Sequence, residues 1–293
     1  MSAITAVPAV PAVPARPGGT LWSDAWRRLR RNRMAVVSGV VLLFIGLACA
    51  LAPVIPGLPD PNATNFELGV TGPSWSRPMG TDLLGRDMLA RTIYGGRISI
   101  LVGLIGTLVS ILIGVSYGAI SAYLGGRTDE AMMRIVDVLY SLPYIFLVIL
   151  LLVFFSKSLI MLFVALGAVQ WLTMARIVRG QVLSLKNQTF VEAARALGAD
   201  DRRIIFGHIV PNTLGPVIVY ATLTVPAIIL QEAFLSFLGL GVQPPDASWG
   251  VLVSEGAQML AFFPWLTLFP GLALALTLFA FNFVGDGLRD ALD

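Results

Sequence analysis

Lysine, histidine and cysteine are almost missing from this chain: Lys157 and Lys186 are its lysines, His208 its one histidine and Cys49 its one cysteine. A lone cysteine excludes an internal disulfide and any cysteine-rich metal site. Cys49 lies in an apolar run and is expected to pack there. Neither lysine follows a glycine run, so the chain carries no Gly-x-x-x-x-Gly-Lys-Ser/Thr loop to cradle nucleotide phosphates. His-Glu-x-x-His and Gly-x-Ser-x-Gly are missing too, and one histidine leaves no nucleophile–base pair. The expectation is no catalytic residue and no metal site. Charge is also scarce, at 13% of residues against 56% hydrophobic, where a soluble domain carries about 25% charged residues. A soluble fold could not hide that apolar surface, so the expected solvent is lipid. The positive charge is nearly all arginine. The net charge of +3 suggests a positive-inside bias, and no aromatic–basic interleaving points to nucleic acid.

Residues 1–20 repeat Ala-Val-Pro through Pro8, Pro11 and Pro14 and end in Gly18-Gly19. Such proline density opposes helix and packing, so a disordered tail is expected, bounded at residue 24. It has no charged start followed by an apolar core, and so does not read as a signal peptide. Gly46-Leu47-Ala48-Cys49 superficially suggests a lipoprotein box, with its leucine one position out of place.

A bilayer core takes about 20 apolar residues per helix. The expected spans are 35–55, 99–124, 136–156, 159–179, 214–236 and 263–284. Arg27, Arg28, Arg30, Arg31 and Arg33 precede the first, which places the N-terminus in the cytoplasm. On that topology fifteen of the arginines and lysines fall inside and five outside (Arg77, Arg86, Arg91, Arg97 and Lys157). The expected fold is therefore all-α, with six spans and both termini cytoplasmic. Residues 25–96 comprise the first span and an external loop, 97–286 a transmembrane core and 287–293 a cytoplasmic end.

Between the fourth and fifth spans lies a polar island, from Val191-Glu192-Ala193-Ala194-Arg195-Ala196-Leu197-Gly198 through Asp200-Asp201-Arg202-Arg203 to His208-Ile209-Val210-Pro211. Charged helix cannot lie in hydrocarbon, so this segment must protrude into water. Glu192 to Leu197 favour helix, Gly198 can turn the chain through positive φ, and Asp200 or Asp201 can cap the start of the next short helix. By chemistry alone the island is either an ordinary interfacial helix–turn–helix or a handle for a soluble partner.

Its spacing resembles the EAA signature of ABC-importer permeases: Glu192-Ala193-Ala194, then Gly198, then an apolar pair and Pro211. Three further segments resemble the C-type subunit of the dipeptide/oligopeptide/nickel importer family, in the same order. They are Gly80-Thr81-Asp82-Leu83-Leu84-Gly85-Arg86-Asp87 with Tyr94 to Ser99, Leu235 to Pro245 with Ser248-Trp249-Gly250, and Gly285-Asp286-Gly287-Leu288-Arg289-Asp290. The resemblance covers about residues 25–293. It departs mildly at Val210, where the family usually has leucine, and at His208, usually apolar, for which a packing or capping role is expected.

The resemblance implies a type I permease fold in a bacterial or archaeal cytoplasmic membrane. It implies a second related permease, two cytosolic ATP-binding subunits that hold ATP and Mg, and an external substrate-binding protein; this chain would hold no cofactor. It also implies that Glu192, Ala193, Ala194, Gly198, Asp200, Arg202, Arg203, Ile209 and Pro211 dock an ATPase. Peptides are the expected cargo, with nickel or opine-like solutes as the alternative. A self-sufficient gradient-driven transporter is the rival class, but neither an obvious repeat nor a midplane acid is found.

Elsewhere the residues leave alternatives open. Gln243, Pro244, Pro245 and Trp249 form a stiff exposed turn, either a membrane anchor or a rim that receives a binding protein. Asp82, Arg86 and Asp87 form local ion pairs or contact such a partner. Glu232 lies near the outer end of span five, as a gate or path group or as a side chain snorkelling to the interface. Gln231, Gln170 and Asn282 are weaker path candidates, and Asn282 could equally bridge helices. Pro143, Pro226 and Pro270 can bend spans, and Gly114 and Gly118 form a small-x-x-x-small packing face.

Overall fold

The computed structural model describes residues 21–155 and 158–292. The repeat tail of residues 1–20 and Lys157, expected outside, lie beyond the described residues. Helix α1 (Leu21–Arg31) already begins inside the expected 1–24 tail. Asn32 interrupts the chain and caps α2 (Arg33–Ala50), its side chain accepting from the Ala35 N–H at 3.2 Å. A loop then leads to α3 (Met88–Leu124), capped by Asp87 on the Ala90 N–H at 2.9 Å. At 1.5 Å per residue, α3 is about 55 Å long, well beyond a ~30 Å hydrocarbon core. The expected start at 99 was late because Arg91 and Arg97 dilute the apolar pattern of a helix that projects past the lipid.

The third expected span is corrected. Instead of one helix over 136–156, α4 (Gly126–Ser141) and α5 (Tyr144–Phe155) meet at a bend of 89°. Pro143 has no N–H to continue the helix and disfavours helical backbone at the residue before it; Leu142 is extended, with φ −79° and ψ 136°. Pro226 and Pro270 lie inside continuous helices, so only Pro143 sits at a break among these three.

Ser158 caps α6 (Leu159–Leu185), accepting from the Met161 N–H at 3.2 Å. Then come α7 (Thr189–Ala196), α8 (Asp201–Arg203), a wide π-helical stretch over Ile204–Ile209, and α9 (Val210–Asn212). The last long elements are α10 (Leu214–Phe237), the short α11 (Trp249–Ala257) and α12 (Trp265–Leu292). Five helices are long and apolar enough to cross a membrane, and α4 with α5 forms the bent pair. No strand occurs among the described residues.

The bundle is centred on α3 and α6, with α10 against both. Small residues permit this contact: a Cβ on Gly118 would overlap the Ala175 carbonyl oxygen, and one on Gly114 would meet Met174. The expected packing face of Gly114 and Gly118 is thus the α3–α6 seam. Large apolar side chains such as Phe44, Phe146, Phe154 and Phe279 point outward, as lipid- or partner-facing surfaces do.

Candidate coupling loop and membrane pocket

The polar island folds back onto the bundle. Val191, Ala194, Ile204, Ile205 and Ile209 are buried in one cluster with Ala119 and Ala122 of α3, Met174, Val178 and Val182 of α6, and Val217 of α10. Ile209 and Ala194, two of the expected docking residues, face inward here and seat the loop on the spans. Glu192, Ala193, Arg202, Arg203 and Pro211 are exposed. The turn after α7 is a Schellman motif: the Gly198 N–H donates to Arg195 O at 3.0 Å and the Ala199 N–H to Ala194 O at 3.1 Å. Gly198 has φ +83°, a left-handed conformation that costs a side-chain-bearing residue roughly 1–2 kcal/mol. Immediately before it Leu197 is 89% exposed. The sequence reading missed this residue, although an apolar side chain at the tip of a charged turn was a visible signal.

Polar ties brace the loop. The Tyr123 hydroxyl, near the end of α3, donates to Asp201 Oδ1 at 2.8 Å and accepts from Arg195 Nη2 at 3.3 Å. That hydrogen bond to Tyr123 raises the Arg195 pKa above its usual value. Asp200 caps α8, accepting from the Arg203 N–H at 3.3 Å. Lys186 Nζ donates to Ala122 O at 2.8 Å, tying α6 to α3 beside the loop. The π-helical stretch ends at Ile209, two residues before Pro211, whose ring would clash with the carbonyl four residues back in a regular helix. The wider turn, with the Val210 N–H bonded to Ile205 O, keeps the chain helical through the proline. His208 is half-buried and its carbonyl accepts from Asn212 Nδ2 at 2.6 Å.

At the opposite end of α3 a second polar assembly closes the bundle. Trp249 was expected on an exposed turn; it is instead 1% exposed, with Nε1 donating to Thr92 O at 2.8 Å and its N–H to Ser99 Oγ at 3.0 Å. Ser248 caps α11 and donates to Glu232 Oε1 at 2.6 Å, and Ser236 donates to the same oxygen at 2.8 Å. Glu232 is wholly buried. In this structure its side chain does not reach the interface: the two serines bond Oε1 inside the protein, and Oε2 is buried without a hydrogen-bond partner. Asp82 and Asp87 are buried rather than free for a partner. Asp82 Oδ2 pairs with Arg86 Nε at 2.6 Å; Arg91 of α3 reaches Glu255 of α11 at 3.3 Å and Asp82 at 3.7 Å, so the loop, α3 and α11 share one charged cluster. Gln243, Pro244 and Pro245 remain exposed.

In the membrane part, Gln170 and Gln231 line one cavity of about 360 Å³ beside the α4–α5 break. Asn282 is not among its lining residues; it is exposed and donates to Leu278 O of its own helix at 2.8 Å. Two ion pairs hold α4 to α6: Asp129 with Arg179 through two bonds of 2.7 Å, and Asp137 with Arg176 at 2.7 Å.

These features define a multi-span membrane protein with a helical handle seated at one end and a closed cap at the other. The profile of the family described as binding-protein-dependent transport system inner membrane component matches residues 106–293, and that of the N-terminal TM domain of oligopeptide transport permease C matches residues 20–68. The chain belongs to this family of inner-membrane transport components, and is a transport component rather than an enzyme. It is 52% identical to the oligopeptide transport system permease protein OppC of Haemophilus influenzae over 277 residues, 94% of this chain and 89% of that protein. The OppC proteins of Bacillus subtilis and Escherichia coli K12 are 48% and 51% identical, each match covering 94% of this chain and 90% and 92% of theirs. A solved structure of the MetNI methionine ABC transporter, inward facing, has a TM-score of 0.57 at 18% identity over 70% of this chain and 96% of its own. That likeness concerns the fold.

Proposed function

We propose that this chain is one of two related permease subunits of an ATP-driven importer for oligopeptides, sitting in the cytoplasmic membrane of a bacterium or archaeon. It crosses six times, with the bent pair α4–α5 as one span and both termini in the cytoplasm. Residues 97–286 form the core. Two ATP-binding subunits, which carry ATP and Mg, hold the 191–212 loops, and an external binding protein delivers cargo to the opposite end. The observation that carries this reading is the loop itself: its inward face is buried on α3, α6 and α10, while Glu192, Leu197 and Gly198 face away. A helix so seated transmits a push to the spans rather than folding away. The peptide cargo is inferred from the names of the relatives, each OppC being called an oligopeptide permease.

The test is purification of the tagged chain from its native host in mild detergent, with mass spectrometry of co-purifying proteins and peptide uptake by the reconstituted complex. Recovery of a second permease and P-loop ATPases, with uptake that requires ATP, is the expected result. A chain that purifies alone and moves peptide on an ion gradient would overturn it.

A further inference from the structure

The cavity beside the α4–α5 break has an unusual lining. It includes Gln170, Gln231, Tyr140 and Thr173, yet no Asp, Glu, Lys or Arg. Gln170 lies about 17 Å along α6 from Leu159, near the middle of a ~30 Å core. Leu142 and Pro143 interrupt the helix at the cavity wall. Non-helical backbone at membrane depth is tolerated where it is buried in protein or lines a cavity, and transporters place broken helices at substrate sites.

The hydrogen-bonding inventory of the wall is incomplete. Gln231 Oε1 is buried with no partner, a costly state unless a donor visits it. Tyr140 and Thr173 share one hydrogen bond, 3.1 Å between their oxygens, and the Thr173 hydroxyl also bonds Tyr220, so the hydroxyls form a neutral network on the wall. The wall therefore offers neutral donors and acceptors together. Leu142 and Tyr144 are 50% and 43% exposed, so the cavity opens away from the chain, as half of a shared site would.

We propose that this cavity is a transit subsite for peptide backbone, in which Gln170, Gln231, Tyr140 and Thr173 bond to the amides of an extended peptide whatever its side chains. The inference rests on the peptide-importer reading. A cargo of varied side chains shares only its backbone, and a fixed charge in this wall would repel part of the cargo pool. A metal-ion cargo would instead call for carboxylate, imidazole or thiolate ligands, none of which lines the cavity.

The experiment uses the whole complex in proteoliposomes, with neutral, cationic and anionic tripeptides as cargo. Gln170→Leu and Gln231→Leu are each expected to lower uptake about five- to tenfold, to a similar extent for all three peptides. Subunit recovery, which reports assembly, should be unchanged. Gln231→Glu keeps the side-chain shape, and is expected to spare cationic cargo while depressing anionic cargo. Uptake of all three peptides at the wild-type level by Gln231→Leu and Gln231→Glu would overturn the subsite. Failure of the wild-type complex to take up any peptide with ATP would overturn the importer reading instead, and the subsite with it.

Discussion

At the residue scale, Gly198 and Leu197 make separable predictions. Gly198 has φ +83° with open space around its missing Cβ, so a side chain there fits but strains the backbone by roughly 1–2 kcal/mol. Gly198→Val is expected to insert and assemble, because the buried face of the loop is untouched. The turn that orients Leu197 would shift, and ATP hydrolysis would continue while uptake falls at least tenfold. Leu197→Asp leaves the turn intact and places charge on the exposed apolar tip; it is expected to weaken co-purification of the ATPases. Parallel ATPase, uptake and pull-down measurements separate the two, and wild-type uptake by a well-expressed Gly198→Val would sink the coupling role.

At the scale of elements, the decisive contacts are close packing and paired charge. The α3–α6 seam allows no Cβ at Gly118 without displacing the Ala175 carbonyl. Gly118→Val should therefore overpack the seam, costing about 1–3 kcal/mol, seen as a lower melting temperature in detergent. Asp129→Ala would strand Arg179 without its two-bond partner, at a cost of about 1–3 kcal/mol; restored stability in Asp129→Ala with Arg179→Leu would show that the pair, not the carboxylate alone, matters. Much of this level was legible in the sequence. Long apolar runs gave the spans, and Gly114 and Gly118 marked the seam. The start of α3 was not legible, because arginines on a helix beyond the lipid look like loop. Nor was the bend: Pro143 can kink or break a helix, and tertiary packing decides which.

At the scale of the whole molecule, α3 connects the two working ends. Near one end Tyr123 ties α3 to the loop through Asp201; near the other Thr92 and Ser99 accept hydrogen bonds from Trp249, which joins α3 to α11. The sequence did not reveal this link, because Trp249 and Glu232 read by type as interfacial residues. Trp249 becomes buried only when α11 packs on Gly96, Thr92 and Ser99 of α3, and Glu232 only when Ser248 reaches its carboxylate. If α3 carries displacement from the loop to the cap, Trp249 should matter for coupling as well as for stability. Trp249→Ala removes a large buried side chain and is expected to cost about 3–5 kcal/mol. Trp249→Phe keeps most of the ring and loses the bond to Thr92. It is expected to remain folded, with ATP hydrolysis preserved and uptake reduced several-fold. Thermal melts with paired ATPase and uptake assays check this. Normal uptake by the folded Phe variant would mean that the cap moves independently of α3, and that the coupling must run through α10 or α12 instead.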